Sequence, residues 1–338
     1  MSSGRRPRSG SREPREPREP REPREPRAGS REPREPRPAS RQTRAGSRDQ
    51  PRAASRAAAR ERSRQRPKEP RAERGRGSDL LLRVLVAIPA AILVIVFVNA
   101  GGWPFVAFIS AIGCICAYEL YRMLHRWRPV PLVGFAAIVG MAIAGVYGGP
   151  RQLLEVAVIT VPVLFLAVVA RGQTHSTVSI AGTLLGVYWI GFAFGHAALL
   201  RELPHGNAVI IDVLIGTFVG DTAAYAGGRL FGRRPLAPKI SPNKTVEGLF
   251  CGMLMAILGV FLAGLYQTWL TQGDALLLGV AVAVLGPLGD LFESLIKRDA
   301  GIKDAGSLFG PHGGALDRAD AALFTLVAGY YVWVAVMH

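Results

Sequence analysis

Cysteine is scarce in this chain. Only Cys114, Cys116 and Cys251 occur among 338 residues, all within apolar runs. No Cys or His neighbour at suitable spacing completes a metal site around them. They read as small apolar residues facing lipid or other helices, and they report nothing about compartment. The first 78 residues lack aromatic side chains altogether. That absence argues against a stacking platform for nucleic acid, and no nucleic acid is expected as a partner. The same stretch lacks an apolar core, so it is not expected to hold a cleavable signal peptide. Acidic residues are in deficit: 41 Lys and Arg stand against 25 Asp and Glu, a formal net charge of +16.

That excess is local. Residues 1–78 hold 25 basic and 11 acidic side chains, a net of +14, which leaves +2 for residues 79–338. Mean hydropathy is nevertheless positive. The chain therefore divides into a basic tail, 1–78, and an apolar body, 79–338, and the high pI belongs to the tail. The tail is built on an Arg-Glu-Pro repeat, "SREPREPREPREPREPRAGSREPREPRPAS". Proline at every third position removes a donor and fixes φ, which prevents regular helix and sheet. With almost nothing to bury, the segment is expected to be disordered, with polyproline II character. It reads as a solubilising or tethering tail, or as a patch drawn to anionic headgroups at about 1 kcal/mol per basic residue near the surface. The stretch "RAASRAAARERSRQRPKEPRAERGR", 52–76, fits the second reading better, because glutamate dilutes the repeat.

The body contains nine apolar segments of the length a bilayer requires. They fall at roughly 80–99, 103–123, 130–148, 153–170, 178–199, 208–228, 246–270, 275–296 and 319–337. The expected fold is an all-α polytopic membrane protein of about nine transmembrane helices, preceded by the disordered basic tail. With the tail in the cytoplasm, thirteen basic residues fall at cytoplasmic ends and loops, and only Arg151 and Arg201 fall on the other side. That bias fits a multi-pass protein of the inner (plasma) membrane with a cytoplasmic N-terminus. The two longest polar connections, 229–245 and 297–318, then face the cytoplasm, and so does any active site. The outer loops "NAGG" and "TQGD" leave little room for chemistry.

Carboxylates inside apolar helices are costly and are read as functional. Asp221 lies late in the sixth span, and Asp290 and Glu293 late in the eighth. Asp290, Glu293, Ser294 and Lys297 follow an i, i+3, i+4, i+7 spacing, one stripe of a helix. Asp317 and Asp320 share a face at the start of the last helix. Two carboxylate-bearing helices meeting at one depth suggest hard divalent cations, Mg²⁺ above all, which can clamp both oxygens of a phosphoryl displacement. Plainer readings stand beside this one. Glu293 and Lys297 are also spaced as an i, i+4 ion pair, and Asp317 as a helix cap.

Two loops carry groups suited to phosphates. "RLFGRRPLAPKISPNKTVEG" offers Arg229, Arg233, Arg234, Lys239 and Lys244, with Ser241, Thr245 and Glu247 where the next helix opens. Helix N-termini and basic side chains both attract phosphate, although positive-inside charge alone would also account for the loop. "GPHGGALDRAD" adds Gly313 and Gly314, which permit close backbone approach, and His312, an acid, a base or a phosphate donor.

The stretch "SLIKRDAGIKDAGSLFGPHGGALDRAD", Ser294–Asp320, resembles the signature of phosphatidate cytidylyltransferases, also called CDP-diacylglycerol synthases. Ser294, Lys297, Arg298, Lys303, Asp304, Gly306, His312, Gly313, Gly314, Asp317, Arg318 and Asp320 carry the match. "DTAAYAGGRLFGRRPLAPKISPNKTVEG", Asp221–Gly248, is similar to a second stretch of the family. The likeness covers about 79–338 and leaves the tail outside. It implies transfer of the cytidylyl group of CTP to phosphatidate, giving CDP-diacylglycerol and pyrophosphate. By resemblance Asp290 and Asp317 hold the metal, Mg²⁺ with K⁺ as a candidate second cation. Asp221, Ser241, Lys244, Thr245 and Glu247 line the site. Lys297, Arg298, Lys303 and Arg318 are candidates for the triphosphate and the lipid phosphate on charge alone. Asp304, His312 and Asp320 complete the catalytic set, and a homodimer is a candidate assembly. Departures are small: Ala315 and Ala319 replace larger apolar residues, Gly220 stands where Asn is frequent, and Ala321 where Ser is frequent.

Three other classes compete. A polyprenol kinase would share the polytopic body and basic loops, but the intact Ser294–Asp320 pattern argues against it. A transporter would also hold intramembrane carboxylates, yet no inverted repeat is visible in the spans. A CDP-alcohol transferase would need an Asp-x-x-Asp-Gly cluster, which the chain lacks.

Overall fold

The computed structural model describes residues 76–172, 175–302, 305–306 and 313–337, with side chains from Ile88 onward. The expectations for the tail before residue 76, and those for Lys303, Asp304 and His312, lie outside the described residues. All described residues belong to one compact unit, Arg74–His338.

Nine helical rods alternate along the chain among the described residues. They are α1 (Arg76–Ala100), α2 (Gly102–Met123), α3 (Pro131–Tyr147), α4 (Pro150–Ala170), α5 (Ser176–Glu202), α6 (Gly206–Phe231), α7 (Val246–Gly264), α8 (Gln272–Asp299) and α9 (Leu316–Val336). Seven of them, α2 and α4 to α9, are long and apolar enough to cross a membrane by length and composition. α3 is shorter, and α1 is described with side chains only over its apolar stretch Ile88–Ala100. The sequence count of about nine is therefore not exactly matched: nine rods are present among the described residues, and α3 falls short of a full-length span. The cause in α3 is local: Pro131 opens it and Gly148-Gly149-Pro150 closes it, which holds it to about 25 Å at 1.5 Å per residue. The seventh span also ends early, at Gly264. The chain there turns through Leu265–Leu270 instead of continuing to residue 270.

Glycine and alanine set the closest packing. α6 and α7 pack face to face along Gly216, Gly220, Gly227, Gly248 and Gly252. A Cβ on Gly252 would lie 2.8 Å from Ala224 Cβ and 2.9 Å from the Gly220 carbonyl oxygen. Small residues let helix backbones approach this closely where the surrounding lipid gives no hydrophobic drive to association. α8 packs against α7 and α9, with Gly289 flush against the backbone of Asp320. In α5 a π turn, Val187–Gly191, interrupts the α-helical ladder and sets Trp189 edge-on against Phe292 of α8 at 4.9 Å.

The long polar connection between α6 and α7 is not purely irregular. It folds into an antiparallel hairpin, β1 (Pro235–Ala237) and β2 (Ser241–Thr245), and β2 runs straight into α7. The ends of α2, α6 and α8, the starts of α7 and α9, and this hairpin all lie at one end of the bundle.

Two substitutions test the packing. Gly252→Val is expected to destabilise the bundle by about 1–3 kcal/mol through overpacking, read as a lower unfolding midpoint in detergent. Gly286→Ala is the control: its nearest outside neighbour would be Thr325 Cγ2 at 3.6 Å, so the midpoint should not fall.

Candidate active site

Burial in an apolar medium makes every carboxylate in these helices seek a partner. Lys297 supplies the first. Its ammonium sits between Glu293, one turn earlier on α8, and Asp317 at the start of α9, bonding Asp317 Oδ1 at 2.8 Å. Glu293 is fully buried, and the Lys297 and Asp317 side chains are only 14% and 12% exposed. The helical stripe expected from the spacing therefore forms, and the i, i+4 pair forms with it. The lysine does both things at once, pairing along its own helix and tying α8 to α9.

Asp317 accepts more than the lysine. The Ala305 amide donates to both of its oxygens at 3.2 and 3.1 Å, and the Gly314 amide donates to Oδ2 at 2.7 Å. Gly313 has φ +88°, and a Cβ there would stand 2.8 Å from Asp317 Oδ2. The glycine pair thus lets the loop backbone close over this carboxylate, as the sequence suggests for a ligand.

Lys244, at the end of β2, reaches Asp290 of α8 as an ion pair. The buried Nζ has no other acceptor among the described residues. Thr245 caps α7, accepting from the Gly248 amide at 3.1 Å. Ser241 opens β2. Glu247 does not face the carboxylates. It accepts from the Arg233 and Arg234 amides at 3.0 and 3.2 Å, which pins the hairpin to the first turn of α7. Arg298 also serves the hairpin, donating from Nε to the Ile240 carbonyl at 2.9 Å. Both are structural supports of the loop in this arrangement.

Asp221, Asp290, Glu293 and Asp320 lie near enough for their charges to act on one another. Asp221 also lines a narrow crevice of about 20 Å³ between α6, α7 and α8, together with Gly220, Gly252, Gly286 and Pro287. That is room for about one water. Pro287 has no N–H, so the carbonyl one turn before it, Ala283, lacks its helical donor beside this crevice. Arg318 is exposed on the first turn of α9. Asp320 is buried, its Oδ1 accepting from the Ala321 amide.

No three His, Cys, Asp or Glu side chains among the described residues converge tightly enough to cage one ion. The donor chemistry still suits a hard cation. Positive charge, as ammonium, already sits on Asp290 and on Asp317. Glu293 Oε1 is buried with no hydrogen-bond partner among the described residues. The lone-pair sites of Asp317 are taken by its three donors, so a cation bound there would replace Lys297.

One acid at this end escaped the sequence reading. Glu119, in "CAYELYR" near the end of α2, is 5% exposed and accepts from the Leu316 amide at 2.9 Å. The signal was the one used for Asp221 and Asp290, a lone acid inside an apolar run.

Comparison with known proteins defines the class. The model of the cytidylyltransferase family matches residues 81–336, and the chain belongs to that family. The chain is 31% identical to the phosphatidate cytidylyltransferase of Bacillus subtilis strain 168 over 266 residues, 75% of this chain and 97% of that protein. It is 34% identical to the phosphatidate cytidylyltransferase of Staphylococcus aureus strain COL over 253 residues, covering 72% and 95%. A protein of Escherichia coli strain K12, YnbB, is 28% identical over 276 residues. The tail before residue 81 lies outside the family match.

Lys297→Met would leave Glu293 and Asp317 facing each other without a counter-charge. Breaking a buried ion pair in this way is expected to cost about 3–5 kcal/mol, measured as loss of unfolding free energy. Glu293→Gln in the same chain should recover most of that loss. An unchanged midpoint in the single variant would contradict the arrangement.

Proposed function

We propose that the protein transfers the cytidylyl group of CTP to phosphatidate, releasing pyrophosphate and forming CDP-diacylglycerol, at a metal-dependent site that opens to the cytoplasm. The observation that carries it is the clustering of the family signature at one end of the bundle, with lysines and carboxylates interleaved. The names of the relatives and their cover of nearly their whole length support phosphatidate as the acceptor. The sequence assigns thirteen basic residues to connections and helix ends on one side against two on the other, which supports a cytoplasmic opening and an inner-membrane location.

In the reaction the lipid phosphate oxygen attacks the α-phosphorus of CTP, and the bond to the β-phosphate breaks. The site has three tasks for this. It must gather two anions that repel each other, hold them in line, and stabilise charge on the departing pyrophosphate. Lys244, paired with Asp290, brings to this end a positive charge that suits a phosphate oxygen. The hairpin, held by Glu247 and Arg298, keeps Lys244 beside Asp290. Lys297 holds Asp317 against the glycine loop. Asp290 and Asp317 are the residues that would hold Mg²⁺, with K⁺ as a second cation, and Asp221 and Asp320 would add to the acidic field that draws cations in. Bound there, Mg²⁺ supplies charge neutralisation at the phosphates. The lipid substrate reaches this end from the bilayer, and CTP from the water.

Asp290→Asn and Asp317→Asn test the reading. In detergent with phosphatidate, Mg²⁺ and CTP labelled in the cytosine ring, the parent protein should pass label to the organic phase. Each variant should lose at least about 100-fold in turnover, as expected for losing a group that stabilises transition-state charge, while keeping its unfolding midpoint. A chelator should abolish turnover in the parent, and Mg²⁺ should restore it. Full activity in either variant would sink the metal assignment.

A further inference from the structure

We propose that Glu119 is a positioning residue for this site. Its carboxylate, supplied by α2, fixes the start of α9 and the glycine loop, and through them the aim of Asp317. The inference rests on the reading of Asp317 as a working carboxylate.

The helix that carries Asp317 does not cap itself. Its N-cap position is Ala315, whose side chain cannot accept a hydrogen bond. The cap comes from 197 residues away, as the Leu316 amide donates to Glu119 Oε2 at 2.9 Å in a buried setting. A negative group at that position also favours the helix dipole. The loop is shaped around the same carboxylate. A Cβ on Gly306 would stand 2.2 Å from Glu119 Oε1, and one on Gly314 would stand 2.3 Å from Oε2. Only glycine fits either place without displacing the acid.

The contacts of Glu119 and those of Asp317 interlock. Asp317 is held by the amides of Ala305 and Gly314. Glu119 touches Gly306, Gly314 and Leu316, which are respectively next to Ala305, the donor itself, and next to Asp317. Every backbone element that aims Asp317 is therefore braced by Glu119. At 5% exposure Glu119 acts through these neighbours and not on a substrate. An error of about 1 Å in the placement of a catalytic group can lower rate by about 100-fold.

The test compares Glu119→Met, which keeps the volume and removes the acceptor, with Glu119→Gln, which keeps an acceptor. Both are made in the full chain. One readout is cytidylyl transfer, resolved into kcat and KM for CTP. The other is amide hydrogen exchange of the peptide spanning residues 313–320. Glu119→Met should lower kcat by about 100-fold with KM for CTP changed by less than about threefold. It should also speed exchange of that peptide by about tenfold or more, with other helices unaffected. Glu119→Gln should restore most of both. Glu119→Met with parental kcat and parental exchange overturns the proposal, and so does Glu119→Gln as impaired as Glu119→Met. If Glu119→Met is not recovered folded, Gly314→Ala replaces it in both readouts, because its Cβ pushes the same carboxylate aside. If the parent protein makes no CDP-lipid, the functional reading fails, and exchange alone then decides. Faster exchange in Glu119→Met than in Glu119→Gln sustains the brace, and equal exchange overturns it.

Discussion

Two lysines placed among carboxylates in an apolar bundle are the constraint on which the rest of this structure depends. Lys297 joins Glu293 and Asp317, and Lys244 meets Asp290. Glu293 and Asp317 are shielded from water, so their charge is answered by protein. The answers come from four different elements: α8, α9, the loop before α9, and the hairpin before α7. Charge pairing thus fixes how the polar connections seat on the helices, and the helices in turn hold the charges at one level.

The close backbone approaches serve the same end. Gly289 lets α9 lie against α8 at Asp320, and Gly252 and Gly220 bring α7 onto α6 beside Asp221. With bulkier residues the carboxylates of α6, α8 and α9 would stand further apart and their charges would couple less. Arrangement of like charges near one another is unfavourable by itself. On the function proposed above, it would become useful when cations and anionic phosphates arrive. Binding of those ions would then recover the stability set aside in this cluster, and the unliganded protein should be the least stable form.

Much of the fold was legible in the sequence, because apolar length is a strong signal. The ends of α1 and α2, for example, fall within a residue of expectation at Ala100 and Met123. α7 stops six residues early, at Gly264, where a run of Leu, Tyr and Trp keeps hydropathy high although the chain has turned. In the site, spacing along α8 told correctly that Glu293 and Lys297 share a stripe. It could not tell that Glu247 and Arg298 spend their side chains on the hairpin, since those bonds join residues 14 and 58 positions apart. Glu119 was visible as a lone acid in an apolar run, but its partner, 197 residues away, could not be read from the sequence.

The central claim, cytidylyl transfer at the Lys244–Asp290 and Lys297–Asp317 centre, is tested most directly by tracing phosphate. CTP labelled at the α-phosphate in one sample and at the γ-phosphate in another would be given to the purified protein with phosphatidate and Mg²⁺. The account predicts α-label in the lipid, γ-label in pyrophosphate, and one pyrophosphate for each lipid labelled. Label from the γ-phosphate on the lipid, with nucleoside diphosphate released, would contradict it and make the protein a lipid kinase.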